Sequence, residues 1–104
     1  MGMDPFKPYT PTKRPAAPPK LTPEDAQTVA LKAIGFIAAD DDLLSRFVAL
    51  TGCGQDEIRA RIADPAFLGG VLDFILNDEA TLVAFAEAVE LAPETPMTAR
   101  NLLP

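Results

Sequence analysis

Apolar residues recur at intervals of three and four along most of this chain, broken at short polar junctions. The stripe Ala26, Val29, Ala30, Ala33, Ile34 and Ile37 has the 3.6-residue period of one helix face. Thr22-Pro23-Glu24-Asp25 precedes it with a hydroxyl cap, a proline where no donor is needed, and an acid that answers the cap from the third helical position. A helix from about Pro23 to Ala39 is predicted. Asp40-Asp41-Asp42 then caps a second helix carrying Leu43, Leu44, Phe47, Val48 and Leu50, which stops at Thr51-Gly52. Gly54 opens a short third helix with Ile58 and Ile62 inward. Asp64-Pro65 launches a fourth bearing Phe67, Leu68, Val71, Leu72, Phe74, Ile75 and Leu76. That segment is apolar over nearly its whole circumference, which places it at the centre of the core. Asn77-Asp78-Glu79 begins a fifth, with Leu82, Val83, Phe85, Ala86 and Val89 on its buried side. Thr95 is the expected cap of a last helix from Pro96 to about Leu102, since proline deeper in the helix would remove a hydrogen-bond donor. The fold class that follows is all-α, a compact bundle of five or six short helices.

The pattern is absent from residues 1–20, which hold six of the eleven prolines and read as an extended, flexible arm ahead of a helical domain over 21–104. Charge divides at the same place. Lys7, Lys13, Arg14 and Lys20 face one acid, Asp4, in the arm, a net charge of +3, whereas five bases meet fourteen acids over 21–104, a net charge of −9. An acidic body repels phosphate backbones and disfavours nucleic acid as the main partner. The arm has P-x-x-P spacings, among them Pro8 to Pro11 and Pro15 to Pro18. Either suits an aromatic-lined groove, although the pattern arises easily where proline is dense. No apolar run spans a bilayer, and one cysteine excludes an intramolecular disulfide, so a cytoplasmic protein without membrane contact is expected.

Candidate chemistry is sparse. The chain has no His and one Cys, which leaves no set of residues for a structural zinc site, and no motif calls for a cofactor. Cys53, in Gly52-Cys53-Gly54, precedes a helix N-terminus that can lower a thiol pKa, but Asp56 and Glu57 oppose a thiolate and no His is present as base. Packing as a small loop residue is the alternative. Asp40-Asp41-Asp42 lacks the alternating ligands and glycine of a calcium loop and reads as a helix cap. Val48, Gly52 and Ile58 have helix-turn-helix spacing within residues 44–62, with Arg59 and Arg61 on the second helix, yet Asp56 and Glu57 occupy the turn that would face phosphates. Asp73, in the most apolar helix, either lies on its one wet stripe or pairs with an arginine such as Arg46 or Arg59. A small carboxylate enzyme would need Asp73, Glu87 and Arg46 to converge. Gly69-Gly70 costs the same helix about 1 kcal/mol per glycine against alanine. Close approach of another helix or a second subunit offsets that cost; a local kink is the other reading.

The segments Leu44-Ser45-Arg46-Phe47-Val48-Ala49-Leu50-Thr51-Gly52, Ile58-Arg59-Ala60-Arg61, Asp64-Pro65-Ala66-Phe67-Leu68, Val71-Leu72-Asp73-Phe74 and Asp78-Glu79-Ala80 give the chain a family likeness. From about Thr22 to Leu103 it resembles a family of small alphaproteobacterial proteins known as domain of unknown function 3572. The resemblance implies a helical fold and a bacterial cytoplasmic setting, and assigns no catalytic residue.

Forty-four of the 84 residues from Leu21 onward are apolar, more than so short a domain readily hides. The leading functional expectation is therefore a non-enzymatic protein–protein interaction module, able to bind a partner protein or a second copy as a homodimer. Phe67, Gly69, Gly70, Asp73, Phe74 and Phe85 are its candidate interaction or packing residues. A DNA-binding regulator using residues 44–62 and the carboxylate enzyme are the alternatives.

Overall fold

The structure is a computed structural model and describes residues 21–104; the arm over 1–20, with its P-x-x-P spacings, lies outside the described residues. Six helices and no strand occur among them: α1 (Pro23–Ala38), α2 (Asp41–Thr51), α3 (Gln55–Arg61), α4 (Pro65–Leu76), α5 (Glu79–Ala88) and α6 (Thr95–Asn101).

Side chains define most of the helix starts. The Asp25 N–H donates to Thr22 Oγ1 at 3.1 Å while Asp25 Oδ2 accepts from the Thr22 N–H at 3.1 Å, which satisfies two donors that a helix end otherwise leaves unpaired. Asp40 accepts from the N–H groups of Asp42 and Leu43, Asp64 from Ala66, and Asp78 from Ala80. Glu57 accepts the Gly54 N–H at 3.0 Å, but Gly54 has no side chain with which to reciprocate. Gly52 ends α2 at φ 73°, a left-handed conformation that glycine adopts without a Cβ clash, and donates to the Val48 carbonyl at 2.8 Å.

α1 and α4 share the centre. α1 presents Ala26, Val29, Ala30, Ala33 and Ile37, all buried, and packs against α2, α4 and α6. Its three alanines bring neighbouring backbones close. α4 buries Leu68, Gly69, Val71, Leu72 and Ile75 against α1, α5 and α6. Aromatic rings close the remaining sides: Phe47 of α2 lies edge-on to Phe67 and Phe74 at 6.3 and 5.3 Å, and Phe36 meets Phe85 at 5.5 Å. Such edge-to-face pairs contribute about 0.5–1.5 kcal/mol each beyond the area they bury.

Several expectations need correction. Ile62, expected inward, is 40% exposed, because the two-turn α3 ends at Arg61 and only Ile58 reaches the core. Val83 is 41% exposed; α5 buries Thr81, Phe85 and Ala86, and one helix face is too narrow to take Val83 as well. Thr95 does not cap α6. The Thr95 N–H donates to the Ala92 carbonyl at 3.0 Å, so the chain turns straight into the helix; Thr95 is its first residue, and Glu94 occupies the cap in right-handed conformation without a side-chain bond. α4 does lie at the centre of the core, and Ala66, Gly70 and Asp73 form its one outward strip.

Candidate binding grooves

A cavity of about 620 Å³ lies where the C-terminal end of α4 meets α5 and α6. Leu76, Leu82, Pro93 and Met97 supply an apolar floor, with Glu94 and Thr98 at its polar rim. The turn leaving α5 sets this geometry. Glu90 stands at φ 58°, the Leu91 N–H reaches back to the Ala86 carbonyl at 2.8 Å, and the Glu90 N–H to Glu87 at 3.3 Å. This pair of bonds ends a helix with a left-handed residue, usually glycine. A glutamate there costs about 1 kcal/mol of backbone strain. Leu91 packs against the core, which fixes the direction in which Pro93 and Glu94 arrive. Met97 is 57% exposed within this groove.

A second, smaller groove of about 250 Å³ runs between α2 and α4, lined by Leu50, Thr51, Gly70, Asp73, Phe74 and Asn77. Leu50 is 71% exposed. The two adjacent glycines differ here. A Cβ on Gly69 would stand 2.9 Å from the Pro104 carbonyl oxygen and 3.0 Å from Arg100 Nη1, whereas one on Gly70 would meet nothing within 4 Å. Gly69 thus accommodates the end of the chain, where Arg100 Nη1 also donates to the carbonyls of Leu103 and Pro104 at 3.2 and 3.0 Å. Gly70 has no such neighbour.

Asp73 pairs with Arg100, not with Arg46 or Arg59: Arg100 Nε donates to Asp73 Oδ1 at 2.7 Å, and the carboxylate remains 58% exposed. Arg46 instead faces Asp78 at 3.6 Å. The Thr81 hydroxyl, donating to Asp78 at 2.9 Å, holds that carboxyl below its ordinary value, with the Ala80 N–H and Arg46 acting in the same direction against desolvation. The ion pairs Asp73–Arg100 and Arg46–Asp78 therefore divide the arginine and carboxylate that the enzyme alternative would bring together, and Glu87 is exposed on α5.

Of the other candidates, Phe85 is fully buried and packs in the core, while Phe67 and Phe74 are half-buried against Phe47. Cys53 is buried, its sulfur 3.8 Å from the Thr51 carbonyl and its N–H donating to the Thr51 hydroxyl at 3.1 Å. Ile58 is buried and Arg59 and Arg61 are exposed, while Val48 lies at the surface instead of closing the turn between α2 and α3. Among the described residues no three His, Cys, Asp or Glu side chains gather as metal ligands, and no helix is long and apolar enough to cross a membrane.

The α4–α5–α6 groove escaped the sequence reading. Its one signal is Met97, an apolar residue among polar neighbours that continues no helical stripe.

Neither a curated protein nor a solved structure shows significant similarity to the chain. Residues 23–104 match the model of the family described as protein of unknown function (DUF3572), and the chain belongs to that family.

Proposed function

We propose that this protein is a non-enzymatic protein–protein interaction module whose main binding surface is the α4–α5–α6 groove. The observation that carries the reading is Met97, more than half exposed over an apolar floor of Leu76, Leu82 and Pro93. Methionine is flexible and polarisable, and suits surfaces that adapt to an incoming apolar side chain. Glu94 at the rim and the net charge of −9 over residues 21–104 specify the complement: a basic segment of another protein, anchored by one or two apolar side chains.

A fluorescein-labelled leucine–lysine amphipathic peptide is a suitable probe for the full chain. Burying a methionine contributes about 1.5–3 kcal/mol, so Met97→Glu weakens binding by about tenfold or more. The substitution also adds a negative charge. Attachment by charge alone would strengthen in the variant, and that result would overturn the proposal.

A specific observation favours a second copy as a further partner at the α2–α4 groove. Leu50 projects there beside the open surface of Gly70 and the half-buried Phe74. Arg100 neutralises Asp73, the groove's one acid. Two copies of an acidic chain can therefore meet at this patch without opposed carboxylates, in the self-complementary manner of a two-fold dimer.

A further inference from the structure

We infer that the basic N-terminal arm is an intramolecular occupant of the α4–α5–α6 groove and competes there with the partner segment; this inference rests on the groove being a protein-binding site. Three observations support it.

Charge is the first. The arm carries Lys7, Lys13, Arg14 and Lys20 against a single acid, while the body to which it is joined carries a net charge of −9. Glu94 is the one acid in the groove's lining, and the arm, at a net charge of +3, is the most basic segment of this chain.

Its apolar content is the second. Phe6 and Tyr9 are the only aromatic residues outside the helical domain, set among Pro5, Pro8 and Pro11. Proline-rich segments lose little conformational entropy on docking because their backbone torsions are already restricted. An aromatic side chain on such a segment can cover Met97 and the exposed floor at modest entropic cost.

Length is the third. Leu21 packs against the core and fixes the root of the arm on the body. Tyr9 lies twelve residues before it; at about 3.1 Å per residue that stretch spans about 37 Å. A compact domain of this size is about 30 Å across and about 47 Å half-way round its surface, so Tyr9 reaches all of that surface except the region directly opposite Leu21. A tether this short also holds the arm at millimolar effective concentration, enough for a weak contact to compete with a partner in solution.

The sequence supplies the probe. Tyr9 is the only tyrosine and tryptophan is absent, so tyrosine fluorescence of the full chain reports on the arm alone. In the native protein Tyr9 is expected to be at least threefold less quenchable by acrylamide than in Met97→Glu or in the double variant Lys13→Glu/Arg14→Glu, independently of protein concentration. Met97 is exposed, and the arm substitutions lie outside the helical domain, so circular dichroism should show unchanged helix content. The arm double variant should also bind the leucine–lysine peptide about fivefold more tightly, because its competitor has been released. Equal quenching in all three proteins overturns the arm's docking, and protection that appears only at high protein concentration assigns the arm to a second copy and overturns the intramolecular form. Failure of the groove reading is separate: there the peptide binds native and Met97→Glu proteins alike, whatever Tyr9 reports.

Discussion

Gly69 and Gly70 are adjacent in sequence and on the same helix, yet the structure gives them opposite constraints. Alanine at either position removes the flexibility of glycine, a gain of about 1 kcal/mol in a helix interior. At Gly70 nothing opposes that gain, since an added methyl meets nothing within 4 Å; Gly70→Ala should raise stability by up to about 1 kcal/mol. At Gly69 the methyl would press on the Pro104 carbonyl and the Arg100 guanidinium, displacing bonds that Arg100 makes to Asp73, Leu103 and Pro104. Overpacking costs about 1–3 kcal/mol, so Gly69→Ala should lower stability by about 1 kcal/mol net. Urea unfolding of the two variants checks this directly: equal shifts would mean that the C-terminal end does not press on α4 as described.

At the level of elements, the local chemistry of helix starts was readable in the sequence. Thr22, Asp40 and Asp64 each accept backbone N–H bonds in the way their positions predicted, because a cap is decided within three residues, and Asp78 does the same within the predicted Asn77-Asp78-Glu79 junction. Thr95 failed as a cap because the preceding Ala92–Thr95 turn already has helical geometry, which depends on how the chain leaves α5 at Glu90. Ile62 and Val83 failed as core residues because a helix buries only the arc its neighbours cover, and periodicity does not state how wide that arc is. Asp73 was legible as a surface acid or ion-pair partner, but its partner Arg100 lies twenty-seven residues away, beyond any local pattern. The groove was hidden for the same reason: Leu82, Pro93 and Met97 belong to different segments that only packing brings together.

The start of α5 permits a test of its own. Asp78 caps the helix while accepting from Thr81, and its carboxyl is held below the ordinary value of 3.8. A depressed folded-state pKa contributes stability that is present above the unfolded value and lost as pH falls through the folded one. Thr81→Val keeps the buried methyl but removes the donor, so the native protein should exceed the variant in stability near neutral pH. That margin should narrow once pH falls below 3.8. Urea midpoints measured at both ends of this range provide the comparison; a margin independent of pH would show that the hydroxyl does not set the Asp78 titration.

Taken as a whole, the molecule has a core completed by α1 and α4, with apolar side chains left exposed at several places, two of which are the α4–α5–α6 and α2–α4 grooves. If the α2–α4 groove joins two copies, sedimentation velocity should show a concentration-dependent dimer that Leu50→Asp abolishes while leaving the helix content intact, because Leu50 is largely exposed. A monomer at every concentration would remove the second copy as a partner. Amide chemical shifts of the full chain during titration with the leucine–lysine peptide distinguish binding at the larger groove from attachment elsewhere. Binding at the groove predicts changes concentrated at Leu76, Leu82, Glu94, Met97 and Thr98 and lost in Met97→Glu; changes spread over the acidic surface, centred on Arg59 and Arg61, or unaltered in the variant would contradict it.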